Sequence, residues 1–181
     1  TKVQYGPCQG AFSHTFRFII AVSFEFMSSE QYTRRNSVRV TGLKEEEDER
    51  CDDLVLSLAS ESLALDPPLT LDEIDRCHRV GRHKLGSPRP LLIKFTSYRS
   101  RQRMMSQRHV LRAERIYINE DLTKIRSNLL WKAREAKRKR LIADCWSADG
   151  RLFYKDNASK KHLLKTAADL RFGEENDVEP Q

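Results

Sequence analysis

The fold is decided by residues 91–119, which read LLIKFTSYRSRQRMMSQRHVLRAERIYIN. Leu91–Thr96 is rich in aliphatic and aromatic residues and predicts a strand. Ser97 is a suitable N-cap for a helix that we expect to reach about Leu111. The closing RIYIN run, Arg115–Asn119, predicts another strand. The segment is therefore strand, helix, strand, and the core residues expected on its helix are Met104 and Met105.

Three more elements are predicted before this segment. Ser37–Leu43 alternates apolar and polar residues and predicts a strand that stops at Gly42. Glu45–Leu65 predicts an amphipathic helix, which the following two prolines end. The residues expected on its apolar face are Cys51, Leu54, Val55, Leu58 and Ser62. Ile74–Val80 predicts a second strand. One of its faces would carry Ile74, Arg76, His78 and Val80, and the other Asp75, Cys77 and Arg79.

The element order is β, α, β, β, α, β, the split βαβ arrangement in which an antiparallel sheet is backed by two helices. This order predicts an α+β fold, with a domain over residues 37–122 that resembles an RNA recognition motif. Such motifs stack bases on aromatic residues of the first and third strands. Here Arg39, Pro90 and Leu92 occupy those positions. Arg39 could stack its guanidinium on a base, bind phosphate, or be an ordinary exposed strand residue.

A small α+β domain is predicted over residues 123–171. Thr123 is a plausible N-cap of a basic helix, and Asp149-Gly150 predicts a hairpin within Ala143–Tyr154. Asn157 is expected to cap a last short helix that reaches about Leu170. The apolar stripe expected on the basic helix is Ile125, Leu129, Ala133 and Ala136. Residues 172–181 are predicted to be a disordered acidic tail, and residues 1–36 have no clear pattern.

Charge is distributed very unevenly along the chain. Residues 44–75 contain twelve acidic and two basic residues, a net charge of −10. Residues 76–140 contain twenty basic and four acidic residues, a net charge of +16. So dense a positive block favours a polyanionic partner, foremost a nucleic acid. The alternative is a solvated basic surface with no partner.

Aromatic residues are interleaved with basic ones in the second domain. Basic side chains contact phosphates and aromatic rings stack on bases without reading sequence. For Trp146 and Tyr154, base stacking and core packing both stay open, whereas Trp131 and Phe153 are expected in the core. The basic residues concerned are Arg134, Lys137 and Arg138 on the helix and Arg151 and Lys155 on the hairpin.

The sequence predicts no enzyme, metal site or cofactor. It contains no GxSxG, P-loop, HExxH or GxGxxG pattern. The four cysteines form no CxxC pair and read as free or buried thiols. A two-metal nuclease would need converging carboxylates in the basic block. The candidates there are Glu114, Glu120, Asp121 and Glu135, and the Glu120-Asp121 pair is expected to cap the following helix.

Several ordered blocks resemble the first-open-reading-frame protein of LINE-type non-LTR retrotransposons. They are EQYTRRNSVRVTGLKE, RCHRVGR, PRPLLIKFTSYRSRQRMM, RIYINEDLTKIRSNLLWKAREAK and GRLFYKDN, within residues 30–157. The resemblance implies an atypical RNA recognition motif followed by a small C-terminal domain. Together these would bind single-stranded RNA, and single-stranded DNA, with little sequence preference, and would act as a nucleic-acid chaperone in a cytoplasmic or nuclear ribonucleoprotein.

The resemblance also implies which residues grip the nucleic-acid backbone. They are Arg99, Arg101, Arg103, Arg108 and Arg112 on the second helix, then Lys124 and Arg126. Independently of the resemblance, we expect a linker over Glu120–Thr123 to let the two domains close on a strand. Residues 1–27 lack the heptads of the family's trimeric coiled coil, so we expect a monomer and a truncated or domesticated copy. The alternative function is a protein-interaction module whose basic surface docks an acidic partner.

Overall fold

A computed structural model describes residues 29–84 and 86–170. The first unit opens with helix α1, described over residues 29–33. It continues through strand β1 and helix α2 to the hairpin of β2 and β3, and then through helix α3 to strand β4. Their bounds are Ser37–Thr41 (β1), Cys51–Ser57 (α2), Ile74–Arg79 (β2), Leu91–Phe95 (β3), Tyr98–Gln107 (α3) and Tyr117–Glu120 (β4).

These four strands form one antiparallel sheet in the order β2-β3-β1-β4. Because side chains alternate along a strand, Val38 and Val40 point to one face and Arg39 to the other. The apolar face packs on both helices, through Val55 of α2 and Met104 of α3 among others, in a single core. The opposite face of the sheet, which carries Arg39, Leu92 and Lys94, lies beside α1 and supports the site described below. The α+β class is thus confirmed.

Two boundaries in this unit differ from the sequence prediction. The helix predicted from Glu45 begins only at Cys51 and continues as a π-helical turn over Leu58–Ser62. The reason is that Glu45 hydrogen-bonds Arg89, holding the preceding acidic segment in a loop. β4 begins at Tyr117 rather than at residue 115, which has a φ of 59° and cannot continue a strand.

The predicted faces of β2 are also wrong in one respect. Strand β2 has a register irregularity against β3 between Ile74 and Arg76. A bulge inserts one residue and so reverses the alternation beyond it. As a result Ile74 and Cys77 both pack against the core, although a regular strand would place them on opposite faces.

The second unit is a helix packed on a three-stranded antiparallel sheet in the order β5-β6-β7. Thr123 caps helix α4, as predicted, by accepting a hydrogen bond from the backbone N–H of Arg126. Asp149 and Gly150 have φ values of 50° and 73° and form the tight turn of the predicted hairpin. The bounds are Lys124–Arg138 (α4), Asp144–Ala148 (β5), Arg151–Lys155 (β6) and Lys161–Leu164 (β7).

The helix predicted from Asn157 to about Leu170 is wrong. The chain instead turns back, and β7 pairs with β6 through partners such as Tyr154 and His162. Leu164 then completes the small core, and only Ala167–Leu170 forms a 3-10 turn. The long-range pairing outweighs a weak local capping signal.

None of the helices within the two described ranges is long and apolar enough to cross a membrane. The predictions made for residues 1–28, and for the acidic tail beyond Leu170, lie outside the described residues.

Candidate nucleic-acid interface

The two units meet at a buried carboxylate, Asp121. Its side chain is 3% exposed, and its two oxygens accept hydrogen bonds from Arg34 and Arg39, each at 2.8 Å. Arg34 comes from the segment after α1 and Arg39 from the open face of β1. One carboxylate therefore fixes two guanidinium groups side by side at the edge of the sheet. The prediction that Asp121 caps the next helix is wrong, because Thr123 does so alone.

Gln31 of α1 closes the junction on the other side. Its amide nitrogen donates to the backbone carbonyl of Asp121, and its amide oxygen accepts from the backbone N–H of Thr123, both at 2.9 Å. Gln31 and Thr123 are both buried. A buried amide that satisfies two backbone groups rigidifies the segment it bridges. The segment predicted to be a linker, Glu120–Thr123, is thus a packed junction.

Glu120 locks the hairpin of the second unit to the first. Its carboxylate pairs with Arg101 of α3 at 2.5 Å, and both side chains are at most 5% exposed. The same carboxylate accepts hydrogen bonds from the backbone N–H groups of Asp149 and Gly150. Tyr98 adds a hydrogen bond to Asp149 at 2.7 Å. Both oxygens of the Glu120 carboxylate are therefore occupied by partners within the protein, and the residue stabilises the junction between the two units.

A cleft of about 470 Å³ opens between the edge of the first sheet and helix α4. One wall carries Arg34, Arg39 and Asn119, and the other wall carries the residues of α4. Four basic side chains line it, and two of them, Arg34 and Arg39, share the carboxylate of Asp121. The one acidic residue that lines the cleft, Glu120, is paired with Arg101. The lining residues from the second unit are Leu122, Lys124, Ser127, Asn128, Leu130, Arg134 and Ser147.

A second depression of about 300 Å³ lies beside the cleft, and Arg34 lines both. It continues over the open face of the sheet, past Arg76, Leu92 and Lys94. In the sheet, Arg39 lies between Leu92 on one side and Asn119 on the other. The second depression also contains the carboxylates of Glu30 and Asp121, both paired with Arg34. Basic residues outnumber acidic ones over the two depressions, which together form a path from the middle of the sheet to helix α4. We call this path the basic groove.

The predicted binding residues divide between the groove and other places. Arg39, Lys124 and Arg134 line the cleft. Arg99, Arg108 and Arg112 are exposed. They belong to α3, its C-terminal end and the turn that follows, and they line neither depression. Arg103 pairs with Glu73 at 3.0 Å and contacts the carbonyl of Pro67. Arg101 is 3% exposed, so the prediction that it contacts phosphate needs correction.

The basic residues of the second unit are partly occupied by internal contacts. Arg126 donates to the carbonyl of Gly150 at 2.8 Å, and burial together with the nearby charge of Arg151 lowers its pKa. Lys137 pairs with Asp144 at 2.6 Å and lowers the pKa of that carboxyl. Of the remaining predicted cations, Arg151 is exposed, Lys155 is half-buried and Arg138 pairs with Glu135.

The aromatic residues are placed differently from the sequence expectation. Tyr154 is 5% exposed within the small core, so it does not present a face for base stacking. Trp146 and Phe153 are half-buried and stack on each other across β5 and β6, with ring centroids 5.9 Å apart. Lys161 lies over Phe153, 4.1 Å from its centroid. Trp131, expected in the core, is 58% exposed.

Sequence reasoning missed several residues of the groove. Arg34, Asn119, Ser127 and Asn128 were not singled out. Arg34 precedes the first strand, and only its tertiary bond to Asp121 brings it to the groove. The polar residues of α4 carried a detectable signal, because Lys124, Ser127, Asn128 and Arg134 recur at helical spacing around one edge of the helix.

Within residues 29–84 and 86–170, no three His, Cys, Asp or Glu side chains gather as they would around a metal ion. Comparison with protein-family models and with curated proteins gives no match to this chain.

Proposed function

We propose that this protein binds single-stranded RNA or DNA with little sequence preference, and that the basic groove holds the strand. The observation that carries the proposal is the cleft whose basic residues, Arg34, Arg39, Lys124 and Arg134, come from both units. Positive charges from two walls attract a phosphate backbone that runs between them. The element order and the sheet order β2-β3-β1-β4 support a first unit like an RNA recognition motif.

The chemistry of the groove favours backbone contacts over base reading. Phosphate contacts position a strand without carrying sequence information. Asn119, Ser127 and Asn128 add uncharged hydrogen-bonding groups to the cations of the cleft. At the aromatic positions of the usual motif the sheet has Arg39 and Leu92, so the base-stacking pair of that motif is missing. The guanidinium of Arg39 can still lie flat on a base.

The packed junction fixes the positions of the cations on both walls of the groove. Arg34 and Arg39 are held by Asp121, and α4 begins two residues after it. The two walls are thus set before a ligand arrives, and preorganised cations lose less entropy when they bind phosphate. We therefore propose a groove that accepts a strand as it stands, without closure of one unit on the other.

The LINE-type resemblance fits this proposal. It suggests a role as a nucleic-acid chaperone that coats a transcript in a cytoplasmic or nuclear ribonucleoprotein. A monomer remains our expectation for residues 28–181.

Salt titration against two kinds of polyanion distinguishes this proposal from docking of an acidic protein. Binding to poly-U should weaken steeply with salt, with a log–log slope of about −0.7 for each phosphate neutralised. An acidic peptide of equal charge should bind much more weakly, because it lacks regularly spaced phosphates and bases. Tighter binding to the peptide than to poly-U would favour the protein-interaction alternative.

A further inference from the structure

Trp131 is exposed without a structural reason. Its neighbours Leu130 and Ala133 pack into the core of the second unit, whereas Trp131 itself is 58% exposed. Buried tryptophan contributes strongly to cores, and its N–H normally finds a partner. Among the residues that the structure describes, none accepts a hydrogen bond from this indole. The exposed part of the indole is therefore open to a ligand.

The position of Trp131 links it to the basic groove. Ser127 and Arg134, which line the cleft, lie four residues before it and three residues after it on α4. Residues at these spacings share one face of a helix. On its other side Trp131 lines a depression of about 350 Å³. Lys132 and Lys139 line it together with the apolar Leu141, Ala167 and Leu170 and with Glu135, whose charge is paired with Arg138. The indole thus stands on a ridge with basic side chains on both sides.

We propose that Trp131 is a base-stacking platform for a single strand that leaves the cleft over helix α4. This inference rests on the proposed function and deepens it, because it identifies a contact to the bases rather than to the phosphates. The basic residues Arg134, Lys132 and Lys139 on the two sides suit a phosphodiester backbone, and the exposed ring between them suits a base. An apolar protein partner would not need cations on both sides of its anchor.

Tryptophan fluorescence tests the contact directly. The chain contains two tryptophans, Trp131 and Trp146, so Trp146→Phe leaves Trp131 as the reporter and Trp131→Phe leaves Trp146. A thymidine oligonucleotide should quench the Trp131 reporter strongly and the Trp146 reporter weakly. An abasic oligonucleotide of the same length should quench neither, because it carries phosphates without bases.

Affinity provides the second readout. Trp131→Ala should weaken binding of the thymidine oligonucleotide by about 5- to 150-fold, the loss of one stacked base. It should leave abasic binding, the salt slope and the melting temperature unchanged. Ile125→Ala is the matched control, since Ile125 is 56% exposed on the same helix but lines neither the cleft nor this depression.

Three results would overturn the inference. Equal oligonucleotide affinity for Trp131→Ala and the wild type, without quenching, would remove Trp131 from the interface while leaving the groove intact. Conversion of a dimer to a monomer by Trp131→Ala in sedimentation would make the indole a contact between copies. Absence of salt-dependent binding to both oligonucleotides in the wild type would refute the proposed function itself, and the inference with it.

Discussion

Replacing Arg101 separates a structural role from a role in phosphate binding. Arg101 and Glu120 form an ion pair at 2.5 Å, with side chains 4% and 5% exposed. Removing one partner of a buried pair costs about 3–5 kcal/mol, because the other charge stays buried without compensation. In Arg101→Ala, Glu120 would keep its hydrogen bonds from the N–H groups of Asp149 and Gly150. We therefore expect the lower end, about 3 kcal/mol.

That loss is large beside the usual stability of a protein of this size, about 5–15 kcal/mol. It should lower the melting temperature by roughly 6–12 °C, at 2–4 °C for each kcal/mol in chains of 150–250 residues. Thermal unfolding followed by circular dichroism measures the shift. Arg99→Ala is the matched control, because Arg99 is exposed on the same helix and such surface changes stay within about 0.5 kcal/mol.

A double variant shows whether the lost stability comes from the unpaired charge. Arg101→Met combined with Glu120→Gln removes both charges and keeps one acceptor oxygen for the backbone N–H groups of Asp149 and Gly150, so it should be more stable than Arg101→Ala. The reasoning is refuted if Arg101→Ala melts like the wild type but binds poly-U with a flatter salt slope. In that case Arg101 contacts phosphate.

Three further predictions concern the junction, the acidic loop and the small core. Gly150→Ala should destabilise the protein by more than about 1 kcal/mol, since its φ is +73° and an added Cβ would lie 2.6 Å from Cγ of Gln31; Gly86→Ala, with open space around it, isolates the backbone part in the same melting assay. Hydrogen bonds from Arg89 lower the pKa of Glu45 from 4.5 to about 2, so this pair stabilises the fold above pH 4.5 and its contribution is lost as the pH falls towards 2. Between pH 4.5 and 2 the melting temperature of Arg89→Gln should therefore fall less than that of the wild type. Tyr154→Ala should unfold at markedly lower temperature, by the equivalent of about 3–5 kcal/mol, and a variant with unchanged stability but weaker oligonucleotide binding would return Tyr154 to the interface.

Local chemistry explains what the sequence predicted correctly. Ser97 and Thr123 accept the hydrogen bonds expected of N-caps, and Asp149-Gly150 forms the expected hairpin turn. Each depends on a few neighbouring residues, as does the alternation of β1. The element order of the first unit therefore followed from short-range rules.

Long-range partners explain the errors. Arg101 was predicted to bind phosphate because of its charge and its position among other arginines. Nothing in its own helix reveals its actual partner, the carboxylate of Glu120 nineteen residues later. On α4 the predicted apolar stripe is confirmed at Ala133 and Ala136, which are buried, and at Leu129, which packs against the small core. Its fourth member, Ile125, is instead 56% exposed, and Trp131, expected in the core, is 58% exposed.

The salt dependence of poly-U binding tests the basic groove most directly. Neutralising Lys124 and Arg134, which line the cleft, as a Lys124→Gln, Arg134→Gln pair removes two charges. The proposal predicts a log–log slope flatter by about 1.4, two phosphates' worth on a single strand. The matched pair Arg99→Gln, Arg108→Gln removes the same charge from exposed positions outside the groove and should leave the slope nearly unchanged. Equal flattening by both pairs, or flattening by the α3 pair alone, would contradict the assignment of binding to the groove.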